Sequence, residues 1–274
     1  YATGAPASGA SLDFTTPRIY TITAQDGSTK DYTVTVIVDG PPVLIGHWAS
    51  GAESLTDSSG YTPVGTHDGV AVGDNFASLA WSSDVPVGFT GKSLDLSAGL
   101  VAVQIDNTAA NDSAYRTTFD QGIGTKFTTT FWFKGPVDTL TGAWVSKSGN
   151  TPYGWKARPL NGTLPVVNVD FTMRNNTGDA PTPSALQTSG VSVNDGAWHH
   201  VAEVLDGWTP SFRKVYVDGV LRAQSTGTNN PVNIAILSHL ILGATQGQNP
   251  QVPDATIGVP GGFFLGQLYD VRIY

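Results

Sequence analysis

Residues 194–222 constrain the fold of this chain more than any other stretch, because two Asp-Gly turns flank runs of strand-forming residues there. Asp195-Gly196 comes directly before the run 198–204, and Asp218-Gly219 follows the run 214–217. An Asp-Gly pair between alternating apolar residues is typical of a β-hairpin. The stretch therefore predicts antiparallel strands that are joined by tight turns.

The rest of the chain has the composition of a β protein. It contains 32 Gly and 17 Pro, which break helices and begin turns, and residues 43–274 hold no convincing amphipathic helix. Short strand-like runs recur instead, which predicts an all-β fold: a two-sheet antiparallel jelly-roll sandwich as one domain. The runs are 44–48, 94–96, 100–105, 127–133, 143–146, 166–173, 198–204, 214–217, 234–242 and 266–273.

The first 40 residues are predicted to form a separate small β segment. The runs 19–24 and 31–38 alternate with period two around Asp26-Gly27, which predicts a hairpin. Gly40-Pro41-Pro42 marks the boundary, so the predicted domains are 1–40 and 41–274. The segment resembles the last strands of bacterial immunoglobulin-like repeats, and about three of the roughly seven strands of such a sandwich are present.

The larger segment contains several motifs in a fixed order. They are His47-Trp48 with Asp57-Ser58-Ser59-Gly60 and His67-Asp68-Gly69, the strand-like run 127–134, the stretches 198–202 and 216–219, and the closing run 266–274. Together these motifs resemble those of the laminin-G-like (concanavalin A-like lectin/glucanase) jelly-roll domains. This resemblance implies a two-sheet sandwich that mostly binds ligands, and a secreted or cell-surface location.

Charge and residue types exclude several function classes. The formal net charge is −8, and the 14 Lys and Arg form no basic stripe, so binding to nucleic acid or to anionic membranes is not expected. The sequence contains no run of 18 apolar residues, so membrane insertion is not expected. The absence of Cys excludes disulfides and thiolate metal sites.

Enzyme activity is not predicted. Retaining glycanases of this fold resemble one another in an E-x-D-x-E strand, because the chemistry needs two carboxylates about 5–5.5 Å apart. The two Glu of this chain, Glu53 and Glu203, do not lie in such a pattern. A G-x-S-x-G nucleophile motif is also absent.

A structural calcium ion is predicted from Asp270, Asp57 and Asp68. Ca²⁺ takes about six to eight oxygen ligands, and the resemblance implies a cation that ties loop carbonyls to an Asp of the last strand. The alternative is that Asp57 begins an Asx-turn and Asp68 a tight turn. The adjacent His199 and His200 point to opposite faces of a strand and cannot bind one metal together.

Aromatic side chains suggest where a sugar could bind, because sugars stack their C–H faces on Trp and Tyr. Trp48, Trp132 and Trp198 lie in strand motifs and are predicted to be core residues. The predicted ligand-binding residues lie in loop-like stretches, where packing within the loop is the alternative. They are Tyr153, Trp155, Arg158 and Trp208.

The function predicted from the sequence is a non-catalytic extracellular module that binds a polysaccharide or another glycan, or mediates cell-surface adhesion. One alternative is a structural subunit of a surface layer or filament, which self-assembles or binds another surface protein by strand exchange through the partial first domain. A second alternative is a polysaccharide-active enzyme or its accessory domain.

Overall fold

The chain forms two compact units, Tyr1–Pro42 and Val43–Tyr274. Among the described residues, no helix is long and apolar enough to cross a membrane. The computed structural model describes residues 3–5, 18–34, 42–49, 51–61, 67–105, 119, 126–136, 142–148, 154–161, 167–174, 184–206, 212–225, 239–245 and 262–274.

The first unit is a three-stranded antiparallel sheet. The predicted hairpin at Asp26-Gly27 is present: Gly27 has a φ of 83°, and the backbone N–H and hydroxyl of Ser28 both donate to Asp26 Oδ1. These bonds close the turn that the Asp-Gly pair predicts. The strands, in sheet order, are β1 (Thr3–Ala5), β2 (Arg18–Thr23) and β3 (Thr29–Val34).

The second unit is built from antiparallel strands, with one short 3₁₀ turn at Phe76–Ser78 among the described residues. Its strands are β4 (Gly46–Trp48), β5 (Gly69–Val72), β6 (Ala80–Ser82), β7 (Ser93–Asp95), β8 (Ala102–Ile105), β9 (Phe127–Lys134), β10 (Val145–Ser148), β11 (Gly154–Asn161), β12 (Val167–Arg174), β13 (Ser184–Gln187), β14 (His199–Asp206), β15 (Phe212–Val217), β16 (Val220–Gln224), β17 (Ile241–Leu242) and β18 (Gln267–Ile273).

These strands form two sheets that enclose one main core. The first sheet has the order β13-β12-β11-β10-β17-β8-β5. The second has the order β16-β15-β14-β9-β18-β7-β6, with β4 also paired to β18. The prediction of an all-β, two-sheet antiparallel jelly-roll sandwich is confirmed. Large buried side chains of this core include Trp48, Leu94, Leu96, Ile105, Phe131, Phe133, Trp144, Trp155 and Phe264.

Strict alternation along the central strands separates this core from the outer face. In β9 and β14 every second residue is buried and its neighbours are partly exposed, apart from the exposed last residue of β14. Successive side chains of a strand point to opposite faces, so the same segment supplies the core and one surface. Phe131 and Phe133 therefore pack inward against Trp144, while Trp132 points outward.

The Asp-Gly turn after β15 is a two-residue hairpin connection, as predicted. Asp218 and Gly219 have φ values of 51° and 75°, which is the left-handed conformation that a type I′ turn requires at both central residues. Asp tolerates this region better than most residues do, and Gly adopts it without strain.

One strand lies where the sequence predicted loop structure. β11 pairs with β10 on one side and β12 on the other, and it contains the expected loop residues Trp155 and Arg158. Gly154 and Pro159 hid the alternation, because both residues usually interrupt strands.

Neighbouring aromatic residues of β9 provide a test of this architecture. We expect Phe131→Ala to lower the free energy of unfolding by about 3–5 kcal/mol, because the ring is fully buried and its removal leaves a cavity. Trp132→Ala should lower it by clearly less, since solvent fills the vacated space. Urea denaturation of both variants measures the difference, and equal losses would contradict the assignment of the two faces.

Candidate functional site

Three neighbouring strands bring aromatic side chains together on the outer face of the second sheet. Trp132 of β9 lies opposite His200 of β14 and opposite Tyr269 of β18. Trp132 and His200 are partly exposed. Their rings lie 5.1 Å apart between centroids and are tilted by 56°.

A fourth aromatic ring comes from the loop between β6 and β7. Phe89 is 40% exposed, and its ring meets Trp132 and Tyr269 edge-on, at centroid distances of 5.6 and 5.3 Å. Such T-shaped pairs are favourable beyond the area that they bury. Phe89, Trp132, His200 and Tyr269 together form what we call the aromatic face.

A tight turn holds Phe89 in this position. The N–H of Phe89 donates to the carbonyl of Pro86 over 3.0 Å, and Gly88 between them has a φ of 90°. This geometry fits a type II turn, which favours Gly at its third position. Val87, the second residue of the turn, is fully exposed.

The base of the same loop is fixed to the sheet. The hydroxyl of Tyr269 donates to the Thr90 carbonyl over 3.0 Å, and the Lys92 N–H donates to the Gly51 carbonyl over 2.8 Å. Gly91 allows this close approach, because a Cβ there would lie 2.2 Å from the Gly51 carbonyl oxygen. The loop is therefore anchored at its base and presents Phe89 from its tip.

One edge of the aromatic face ends in an ion pair that also orients Trp198. Asp84 accepts a 2.6 Å bond from Lys134 Nζ and a 2.9 Å bond from Trp198 Nε1. The bonds from Lys134 and Trp198 lower the pKa of Asp84, so it stays ionised. The expectation that Trp132 and Trp198 belong to the core is wrong, because both are partly exposed, Trp132 on the outward side of its strand.

A second polar group borders the face at β18. Asp270 Oδ1 lies 2.7 Å from His47 Nε2 and 3.0 Å from both Nε and an Nη atom of Arg272. Burial opposes ionisation of Asp270, but the bond from His47 and the charge of Arg272 outweigh it and lower its pKa. The carboxylate of Asp270 is therefore already bound by His47 and Arg272.

The surroundings of His200 favour its neutral form. Burial lowers its pKa, and the charge of Arg272 adds to that effect, while Asp218 and Asp270 oppose it. A neutral imidazole carries one N–H donor and one acceptor nitrogen. The ring beside Trp132 can thus exchange hydrogen bonds with a polar ligand.

His199 points to the opposite side of β14, as the sequence predicted, and joins the two Asp-Gly turns. Its Nδ1 lies 2.8 Å from Asp218 and its Nε2 lies 3.0 Å from Asp195. Burial lowers its pKa, but the bonds to both carboxylates outweigh that effect, and the net pKa is raised. This histidine is a structural link.

The other two predicted calcium ligands, Asp57 and Asp68, take part in turns. Asp57 Oδ1 accepts N–H bonds of 2.9 Å from His47 and from Ser59, and Asp57 Oδ2 accepts the Ser59 hydroxyl. Asp68 Oδ1 accepts the Asp57 N–H over 2.9 Å. The bond from the Ser59 N–H to Asp57 is typical of an Asx-turn, which is the alternative to a calcium site given in the sequence analysis.

These contacts do not fit one calcium ion shared by the three carboxylates. Asp57 faces N–H donors, and Asp270 faces Arg272, a cation that would repel Ca²⁺. Across the described ranges, no three His, Asp or Glu residues are grouped so that they could hold a metal ion. The calcium site itself stays a prediction.

The predicted ligand-binding residues are not brought together by the described part of the chain. Trp155 is only 1% exposed, packs on Phe127 and donates its Nε1–H to the Phe119 carbonyl, so the expectation that it is an exposed platform is wrong. Arg158 is partly exposed on β11, in the other sheet. Tyr153 and Trp208 lie outside the described residues.

Comparison with known proteins identifies the family. A model described as "Concanavalin A-like lectin/glucanases superfamily" (Laminin_G_3) matches residues 108–274, more than half of the chain. The chain belongs to this family. A model described as "SGBP, N-terminal" matches residues 1–36 of the first unit. No curated protein matches the sequence.

Solved structures are similar to this chain at low sequence identity. Domain 4 of AbnA, a GH43 extracellular arabinanase from Geobacillus stearothermophilus, in complex with arabinotriose, is 19% identical, with 84% of this chain and 91% of that one covered and a TM-score of 0.53. The Ruminococcus gnavus IT-sialidase CBM40 is 14% identical, with 71% and 91% covered and a TM-score of 0.44. At this identity, the similarity to the arabinanase domain is one of fold alone.

Chelation tests the calcium prediction. A melting temperature that falls in saturating EDTA and recovers with added Ca²⁺ would support a structural ion. An unchanged melting temperature would contradict it. Asp57→Asn provides a matched variant, because the amide keeps an oxygen acceptor for the His47 and Ser59 N–H groups but removes the charge that a cation requires.

The link at His199 makes a pH-dependent contribution to stability. Because its folded pKa is raised above 6.5, this contribution is complete below pH 6.5 and is lost as the pH rises through the folded value. We therefore expect the difference in unfolding free energy between the wild type and His199→Gln to shrink with rising pH.

Equilibrium unfolding between about pH 5 and 9 measures this difference. Titration of His200 has the opposite sign, since its pKa is lowered, but it is common to both proteins and largely cancels in the difference. A difference that stays constant or grows with pH would contradict the link.

Proposed function

We propose that this protein is a non-catalytic carbohydrate-binding module that acts outside the cell and binds a glycan through the aromatic face. The observation that carries the proposal is the position of Trp132. It is partly exposed on a central strand of the second sheet, between Phe89 and His200, with polar side chains on both edges.

The chemistry of this surface suits a sugar. The C–H groups of a sugar ring stack on an indole, whose area makes it a large apolar anchor. The hydroxyls require a few fixed donors and acceptors around that anchor. Neutral His200 offers both kinds of group, and Arg272, which is 38% exposed at its side chain, offers donors that Asp270 orients.

A rigid site favours binding because little order has to be created when the ligand arrives. Trp132 and His200 belong to central strands, and the loop that carries Phe89 is anchored by the bonds of Tyr269 and Lys92. The similarity in fold to an arabinanase domain solved with arabinotriose also supports a carbohydrate ligand.

The absence of catalysis is proposed from the two glutamates. Glu203 is fully buried on the inner side of β14, whereas Glu53 lies on the surface, 3.6 Å from Lys92. They do not form the pair of accessible carboxylates that glycoside hydrolysis uses. Binding without turnover would suit adhesion to a glycan-coated surface, which we include in this proposal.

A panel of soluble polysaccharides tests the proposal. In affinity gel electrophoresis we expect at least one neutral polysaccharide to retard the protein, and Trp132→Ala to weaken this affinity about tenfold or more, a loss of about 1.4 kcal/mol. Loss of a central aromatic anchor has effects of this size or larger at other interfaces. No release of reducing ends should accompany binding.

The matched control is Tyr32→Ala, which removes a half-exposed aromatic ring from the first unit. It should leave the affinity unchanged. Unchanged affinity in Trp132→Ala, equal losses in both variants, or no retardation by any glycan of the panel would contradict the proposal. Release of reducing ends would contradict its non-catalytic part.

A further inference from the structure

We infer that the glycan bound by the aromatic face is uncharged, because the cations that border this face in the described part of the chain are already paired with carboxylates of the protein. This inference rests on the proposed function and narrows it to a ligand class: neutral, hydroxyl-rich oligosaccharide chains, as opposed to chains that carry uronic acid, sialic acid or sulfate groups.

The pairing is seen on each side of Trp132. Lys134, two residues along β9, binds Asp84 over 2.6 Å. Arg272, on the neighbouring strand, binds Asp270 through two nitrogens at 3.0 Å each. At the base of the Phe89 loop, Lys92 lies 3.6 Å from Glu53.

An anionic sugar would either displace one of these carboxylates or place its own negative charge beside a carboxylate that stays in position. Recognition of a carboxylate or sulfate relies on a cation that can form charge-assisted hydrogen bonds with it, and Arg does so best when both of its donor edges are available. Here Asp270 occupies the Nε edge of Arg272. Breaking that pair would leave the poorly exposed Asp270 without its cation, next to a second negative charge.

The surrounding charge acts in the same direction. The protein has a formal net charge of −8, and a negatively charged chain repels an anionic polymer over a distance of about 10 Å at moderate salt. Lys214 also lies on the outer face, but far from Trp132. It pairs with Val204, which lies opposite Thr128 of β9. Thr128 is four residues from Trp132 along β9, about 13 Å, and Lys214 lies two strands further across the sheet.

A neutral sugar meets none of these penalties. Its hydroxyls can accept from Arg272 and donate to Asp270 while the ion pair stays intact, since each group has further hydrogen-bonding capacity. The same applies to Asp84 and Lys134. Ion pairs of this kind therefore offer hydrogen-bond donors and acceptors in a fixed arrangement, and they do not attract a charged ligand.

Matched derivatives of one polysaccharide test this inference. The probe is the neutral polysaccharide that retards the wild-type protein most, prepared as a hydroxyethyl and as a carboxymethyl derivative with equal degrees of substitution. The two derivatives add similar bulk and differ in charge. We expect the wild type to bind the carboxymethyl form about tenfold or more weakly at low salt, with the difference shrinking as salt is added.

Two variants should change this preference in a defined direction. Asp270→Asn keeps an acceptor for His47 and Arg272, and Asn tolerates the φ of 53° at this position, but it leaves the charge of Arg272 uncompensated. Asp84→Asn does the same for Lys134 at the opposite edge. In each variant the affinity for the carboxymethyl form should rise relative to the hydroxyethyl form.

The outcomes separate this inference from the proposed function. Equal or tighter binding of the carboxymethyl form by the wild type would overturn the inference while glycan binding stands. The inference would also be overturned if neither variant changed the preference for the hydroxyethyl form, because the ion pairs would then not determine which derivative binds more tightly. Failure to bind either derivative or the parent polysaccharide would overturn the proposed function itself.

Discussion

The alternation of side chains along β9 is the constraint on which the core and the aromatic face both depend. Phe131 and Phe133 pack inward against Trp144, and this packing fixes the rotation of the strand. Because the period of a strand is two, Trp132 must then point outward. A shift of one residue in the pairing with β14 would exchange the core and the surface. Burial of the two phenylalanines therefore also determines which residues form the aromatic face.

A β-bulge in β18 determines what lies beside Trp132. Tyr269 pairs with Trp132 and Arg272 pairs with Thr130, so the strand carries an extra residue between these two positions. Asp270 occupies the bulge with a φ of 53° and donates its N–H to the Ala49 carbonyl. Bulges redirect side chains next to functional sites. Here the extra residue brings Arg272 to the outer side together with Tyr269.

Turn motifs and strand alternation in the sequence predicted the fold and the orientation of several individual residues. The Asp218-Gly219 turn follows from the left-handed conformation that the two residues tolerate, and the opposite orientations of His199 and His200 follow from strand geometry. The position of Phe89 on Trp132 was beyond such reasoning, because it depends on where a loop distant in sequence folds back. The prediction that Trp155 lies in an exposed loop is wrong because Gly154 and Pro159 are unusual in strands. They hide the strand β11, which pairs with β10 and β12.

The polar residues around β4 connect the ends of the second unit by hydrogen bonds. The side chain of Asp57 receives the N–H of His47, and the ring of His47 binds Asp270 of the last strand. These two carboxylates thus connect a loop, the first strand of the second unit and its last strand. Each bond is made to a poorly exposed carboxylate, where such bonds are stronger than in water. The same Asp270 carboxylate also pairs with Arg272 and holds it at the edge of the aromatic face. One set of contacts therefore connects the first and last strands of the second unit and positions a polar group beside that face.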